Sequence, residues 1–341
     1  MPIVLKSTQS EETAHKVMRV LARIWALATV LALAAPAGAA DTIRLAVQKT
    51  GTFSWELAAI RSAGLDKEAG LSLEVTELAS TEAGKIAMRA GSADIILSDW
   101  LWVSRERTLG AKLTFYPYSS ALGAVMVPAS SPIKTLADLK GRKLAVAGGA
   151  IDKSWLLLQA RMKQDGIDLK SEATIVYGAP PLIAAKALDG EMDASLNFWN
   201  FCAQLEAKGF RRLAGIEDIL PKLGAKGAVA AVGYVFDESW AASHKEAVAR
   251  LIAMTRKAKE LLATSDAAWD KVAPLTGTTD PALLKTYRER YRDGIPRRSI
   301  DDEEKDARVL YRVLAEIGGR DLVGPAAELD PGTFYHAVPG D

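Results

Sequence analysis

Residues 91–100 read Gly-Ser-Ala-Asp-Ile-Ile-Leu-Ser-Asp-Trp, and residues 190–199 read Gly-Glu-Met-Asp-Ala-Ser-Leu-Asn-Phe-Trp. Each has a helix-stopping glycine, an aspartate three residues on, a short apolar run, and a tryptophan six residues past the aspartate. Glycine stops a helix because it enters left-handed backbone without a Cβ clash. A short apolar run bounded in this way suits a strand covered on both faces. One supersecondary unit therefore occurs once in each half, with an indole at the same strand end. Outward from the first copy, residues 43–47, 71–78 and 94–97 read as strands, with helices over 55–62 and 82–90. Outward from the second, 144–147, 173–177 and 194–197 are strands, with helices over 153–164 and 181–188. Residues 229–236 look like a return to the first sheet. This alternation predicts mostly parallel sheets with helices on their faces, where ligands bind beyond the carboxyl ends of the strands.

The remainder reads as helix. Ser243 with Glu246 has the spacing of a capping box before 247–262. Asp280-Pro281 opens a helix to Tyr291, and Ser299 caps another that stops at Gly318-Gly319. Asp301 to Glu304 sit in the first turn of that last helix, where the dipole favours carboxylates, and read as a solvated face rather than a site.

The N-terminus points to export. A basic stretch through Arg19 and Arg23 precedes twelve apolar residues, Ile24 to Ala35, and then the small residues of Pro36-Ala37-Gly38-Ala39-Ala40. That is the layout of a cleaved secretory signal over 1–40, with Met18 the expected true start. Twelve residues are too few for a bilayer span, which needs about 20. Without that segment, basic and acidic residues balance to within one charge, which argues against nucleic acid as a partner. Cys202 is the only cysteine, so no internal disulfide forms, and three histidines (His15, His244, His336) are too scattered for a metal site. Neither a metal nor a cofactor is expected.

Ser131-Pro132-Ile133-Lys134-Thr135-Leu136-Ala137-Asp138-Leu139-Lys140-Gly141-Arg142-Lys143-Leu144-Ala145-Val146 resembles a segment of type II periplasmic substrate-binding proteins, and the two Gly-x-x-Asp units resemble another of their elements. The chain is most similar to their nitrate/taurine/sulfonate group, over residues about 42 to 325. The resemblance implies an α/β Venus flytrap: two mostly parallel-sheet lobes joined by a two-crossing hinge, with C-terminal helices. Lobe 1 would comprise 41–128 plus 229–341, and lobe 2 129–228. It also implies a periplasmic monomer that closes on a small-molecule ligand and delivers it to the permease and ATPase subunits of an ABC importer.

If both sheets present strand ends to one cleft, the lobe 1 candidates are Thr50, Gly51, Phe53, Trp55, Ser98, Asp99, Trp100 and Tyr118. Those of lobe 2 are Gly149, Asp152, Ser154, Trp155, Tyr177, Asn197 and Trp199. Four indoles in loops predict an aromatic-walled pocket with a few polar groups fixing orientation. Trp102 reads as packing. The loop through Gly148-Gly149-Ala150-Ile151-Asp152-Lys153-Ser154 leads into a helix, so its N–H groups suit an anion. Asp99 suits an ammonium or simply caps the next helix. Together these suit a sulfonate, a taurine-like zwitterion or a nitrogen-containing heteroaromatic. Two alternatives stay open: a periplasmic sensor or accessory protein on the same scaffold, and an enzyme of the thiamine or menaquinone pathways. The second is disfavoured because both histidines of the body fall in the helical tail, and no nucleophile elbow or phosphate loop is present.

Overall fold

The structure, a computed structural model, describes residues 40–49 and 51–336. The expected signal segment, its Met18 start and Thr50 lie outside the described residues. Ten strands form two five-stranded sheets. The first contains β1 (Asp41–Gln48), β2 (Leu71–Leu78), β3 (Ile95–Ser98), β4 (Leu113–Ser119) and β10 (Val232–Asp237), in the order β2-β1-β3-β10-β4. The second contains β5 (Ala124–Pro128), β6 (Lys143–Ala147), β7 (Thr174–Gly178), β8 (Ala194–Asn197) and β9 (Phe210–Gly215), in the order β7-β6-β8-β5-β9. In each sheet the first three strands are parallel and the fourth runs antiparallel to its neighbours. The two sheets thus share one plan, and each receives its antiparallel strand from the other side of a crossing. The α/β architecture expected from the alternation is the one observed.

β5 corrects one boundary. The sequence assigns residues up to 128 to the first lobe, because Pro128 and Pro132 look like punctuation. Ala124–Pro128 instead pairs with β8 and β9, so the first crossing lies at residues 120–123. Gly123 makes that crossing tight: a Cβ there would meet the Asn197 carbonyl oxygen at 2.0 Å.

The helices that matter for the cleft are α1 (Phe53–Ala63), α2 (Thr81–Arg89), α3 (Trp100–Thr108), α4 (Lys153–Gln164), α5 (Pro180–Leu188) and α6 (Trp199–Ala207). After the return strand and the short helix Glu238–Ser243 come α7 (Lys245–Thr264), α8 (Asp266–Val272), α9 (Pro281–Asp293) and α10 (Ile300–Val323). Asp280 and Ser299 cap α9 and α10 as their sequences suggest, through the N–H groups of Ala282 and Asp302. The expected capping box at Ser243 does not form. Ser243 closes the helical turn before α7, and its hydroxyl donates to the Ser239 and Trp240 carbonyls. At Gly319 the backbone leaves helical geometry, then resumes to Val323. Among the described residues no helix is long and apolar enough to cross a membrane.

The aspartates of the repeated unit have matching structural work. Asp94 Oδ2 accepts from the Arg44 N–H at 2.8 Å, and its own N–H donates to the Arg44 carbonyl. Asp193 does the same to Lys143. Each aspartate therefore clasps the neighbouring strand, in the middle of β1 and at the start of β6, and fixes its register.

The C-terminal helices reach both sheets. α9 lies on α6, where Arg290 pairs with Glu206 at 3.0 Å and Gln204 donates to the Tyr287 hydroxyl. The opening turns of α10 grip the return crossing. The Gly227 and Ala230 N–H groups donate to the buried carboxylates of Asp306 and Glu303, and Arg298 donates to the Ala228 carbonyl. Burial pushes the Glu303 carboxyl up to about 7, despite the Ala230 N–H that favours its charged form. The first crossing is held too, by Ser120 N–H to the Gly294 carbonyl at 2.8 Å.

Candidate functional site

Between the sheets, at the carboxyl ends of their parallel strands, lies a cleft of about 980 Å³. Nine of the expected site residues face it: Gly51, Phe53, Ser98, Asp99, Trp100, Tyr118, Asp152, Ser154 and Trp199. The others do not. Trp155 is fully buried, because Lys153, Ser154 and Leu157 turn toward the cleft and leave it on the core side of α4. Trp55 sits in an aromatic cluster with Trp199, Trp269 and Tyr287, its ring centroid 5.2–5.9 Å from theirs. Asn197 is buried and ties two helix starts together, donating to the Pro180 carbonyl and accepting from Phe198 N–H. Gly149 and Tyr177 lie outside the lining. Gly148 lines it instead, at φ 87°, where a Cβ would sit 2.8 Å from Asp152 Oδ2.

Among the described residues six helices start at the cleft; Ser80 caps α2, two prolines open α5, and the other four differ at their caps. Asp99 caps α3 through the Trp102 N–H at 2.9 Å, and Asp152 caps α4 through the Trp155 N–H at 3.2 Å. By contrast α1, at Thr52, and α6, at Phe198, carry no side-chain cap. An uncapped helix start offers backbone N–H groups and the positive end of the dipole. α6 offers such groups, whereas at α1 the Ser54 and Trp55 N–H groups already donate to the Gly51 and Thr52 carbonyls. Two hydroxyls add to them: Ser98 Oγ and Tyr118 Oη are buried and make no well-aligned hydrogen bond among the described residues.

Two of the charged groups pair with each other. Lys153 Nζ reaches across the cleft to Asp99 Oδ2 at 2.9 Å. Burial alone would raise the Asp99 carboxyl, but Lys153 and the Trp102 N–H together hold it below the usual carboxylate range. Burial alone would lower the Lys153 ammonium, and Asp99 outweighs it. Asp152 is pushed up by burial. An ammonium on a ligand would therefore have to displace Lys153, which removes the acid the sequence offered to a zwitterion. The sequence places Lys153 in the loop leading into α4 but assigns its charge no partner; the structure pairs it with Asp99.

The aromatic floor is braced from behind. Phe53 meets Tyr118 and Tyr234 edge to face, with centroids 5.5 and 5.8 Å apart. Beneath them Glu56 and Lys259 form a buried ion pair at 2.5 Å, and the hydroxyls of Tyr234 and Tyr291 both donate to Glu56. Lys259 Nζ also lies 4.5 Å from the Tyr118 ring centroid. So many directed contacts leave the floor little freedom to rearrange. Trp102, expected to be packing, lines the cleft with Lys85 Nζ 5.1 Å from its ring.

The fold and cleft can be placed among known proteins. Residues 59–267, more than half of the chain, match the family described as NMT1/THI5 like. The chain belongs to that family. Solved structures share the fold of this NMT1/THI5 like protein. The periplasmic aliphatic sulphonate binding protein SsuA from Escherichia coli superposes with a TM-score of 0.66 at 20% identity, over 84% of this chain and 95% of that one. The alkanesulfonate-binding protein SsuA from Xanthomonas axonopodis pv. citri, bound to MOPS, gives 0.64 at 19% identity, over 87% and 99%. The desulfurization enzyme DSZB gives 0.54 at 18% identity, over 84% and 97%. A comparison with curated protein sequences finds no match. The NMT1/THI5 like fold is thus common to binding proteins and at least one enzyme, and the site itself has to separate the two.

Proposed function

We propose that the protein is the periplasmic solute-binding subunit of an ABC importer, and that it captures a small organic anion, a sulfonate in the first instance, between its two sheets. The observation that carries this reading is the uncapped start of α6, facing the cleft beside the buried Ser98 hydroxyl, which has no hydrogen-bond partner among the described residues. Free N–H groups at a helix start favour negative charge, and a buried hydroxyl without a partner loses free energy until a ligand supplies one. Contacts from both lobes would favour the closed state. The secretory layout of residues 1–40 supports a periplasmic location, and the two SsuA proteins support delivery to a permease and an ATPase.

Binding without turnover is the reading we favour over chemistry like that of DSZB. Asp99 and Asp152 are committed to caps, and no histidine among the described residues lines the cleft. The Cys202 thiol is buried, pushed up to about 12 by that burial, and donates to the Asn197 carbonyl. Titrating the mature protein calorimetrically with butanesulfonate, followed by mass spectrometry of the recovered ligand, tests both halves. Saturable binding and an intact sulfonate are expected. Heat no greater than that of dilution would remove the anion reading, and released sulfite would turn the protein into an enzyme.

A further inference from the structure

The chain returns from the second sheet to the first through residues 224–231, and α10 holds that crossing with two carboxylates one turn apart. Asp306 Oδ2 accepts from the Gly227 N–H at 3.0 Å, and Glu303 Oε2 accepts from the Ala230 N–H at 2.9 Å. Both side chains belong to the buried interior. Arg298 stands beside them, but it pairs with Asp306 at 2.7 Å and donates to the Ala228 carbonyl. Glu303 is left without an ion pair among the described residues, and its Oε1 is buried with no hydrogen-bond partner. Two buried carboxylates that share one cation resist ionising together, and the uncovered oxygen is where a proton would sit. On the β4 side the titratable neighbour is Tyr116, whose hydroxyl accepts from Arg256 of α7 at 2.6 Å. On the outer side of α10, His336 meets Asp301 and Glu304 at 3.2 and 2.7 Å. The position of Ala230 matters most. Val229 and Ala231, on either side of it, line the cleft, and a crossing is where backbone angles change when lobes move.

We propose that Glu303 is a proton-operated catch on the return crossing: ionised, it holds Ala230 and favours the closed cleft; protonated, it slackens and lets the lobes part. An ionised acceptor makes the stronger hydrogen bond. The closed crossing therefore binds the Glu303 proton less tightly than the open one, and closure releases it. Burial pushes this carboxyl up to about 7, so the change falls near neutral pH. Affinity for any ligand that needs closure should rise with pH through that value and level off above it.

The first arm of the test needs no ligand. Protection of the Ala230 amide from hydrogen exchange, corrected for the intrinsic rate, should rise about fivefold from about pH 6 to about pH 8, the gain of a charged over a neutral acceptor. Glu303→Gln keeps an acceptor oxygen but never ionises, and should hold the low value throughout. The second arm is calorimetry with butanesulfonate, which stays ionised over this range. Its affinity should rise by a similar factor with release of a proton, and the slope should vanish in Glu303→Gln. Only this arm rests on the anion reading above; no binding at any pH, with the exchange result intact, removes that reading and leaves the catch. Protection that ignores pH, or a slope that survives in Glu303→Gln or disappears in His336→Gln, overturns the proposal. If Glu303→Gln does not fold, the carbon-13 shift of the Glu303 carboxyl in the unaltered protein decides. Titration in step with Ala230 protection upholds the catch, and a midpoint in the ordinary range, below about 5, ends it.

Discussion

The two copies of the repeated unit differ where it counts. Both turn at a left-handed glycine, Gly91 at φ 67° and Gly190 at φ 73°. Both clasp the neighbouring strand with an aspartate, and both open a helix on tryptophan. One position before that tryptophan they part: Asp99 caps α3 in the first copy, and Phe198 leaves α6 uncapped in the second. The scaffold is held constant while a single residue decides whether the helix start presents a carboxylate or bare N–H groups. A carboxylate at that point can meet a cation, here Lys153, and bare N–H groups can meet an anion.

The largest effect is expected from giving the second copy the first copy's cap. Phe198 is partly exposed, so Phe198→Asp should fold, and its carboxylate should weaken butanesulfonate binding on the order of a hundredfold, since facing like charges cost several kcal/mol. Unchanged affinity in calorimetry would break the comparison at its central point. Next come the clasps. Asp94→Ala and Asp193→Ala should each destabilise the protein by about 1–3 kcal/mol in urea unfolding, because each loses a hydrogen bond from a strand N–H to a charged carboxylate. Asp94→Ala should cost more, since Asp94 also takes the Arg44 guanidinium at 2.5 Å. Equal losses would mean that the backbone clasp alone matters.

The smallest effect is expected at the cross-cleft pair. Asp99→Asn keeps the cap and loses the ion pair with Lys153, whose side chain is 40% exposed. Solvent screening limits the change to under about 1 kcal/mol. Asp99 is held below its ordinary value of 3.8, so its contribution is full above that value and is lost as pH falls through the lower native one. Lys153 is held above 10.5, so its contribution is full below that value and is lost as pH rises through the higher native one. The ligand-free protein should therefore expand in small-angle scattering at either extreme, and Asp99→Asn should flatten the acid limb. An unchanged acid limb in the variant would mean that another group closes the cleft.

Much of the fold was legible because the edge strand at 71–78 shows as an alternation and the buried strand at 95–98 as an apolar run. Helix starts were legible where the capping chemistry is local, as at Asp280 and Ser299. Position along the chain was harder to turn into position in space. The first crossing falls in residues 120–123, which carry no more punctuation than any short loop, while the prolines at 128 and 132 mark only the end of β5. The indoles show the same limit more sharply. Trp102 walls the cleft and Trp155 does not, although each follows an aspartate cap by three residues. What separates them is the rotation of α3 and α4 against α10, set by packing between segments some 150–200 positions apart. No local pattern records that angle.

Both connections between the sheets are fastened by the last third of the polypeptide: one by the Gly294 carbonyl, the other by Glu303, Asp306 and Arg298. Every strand, however, is complete by Asp237. During synthesis the sheets can therefore pair before anything sets the angle between them. The binding chamber is the last thing this protein acquires, and it arrives with a helix that contributes no hydrogen bond to either sheet's ladder.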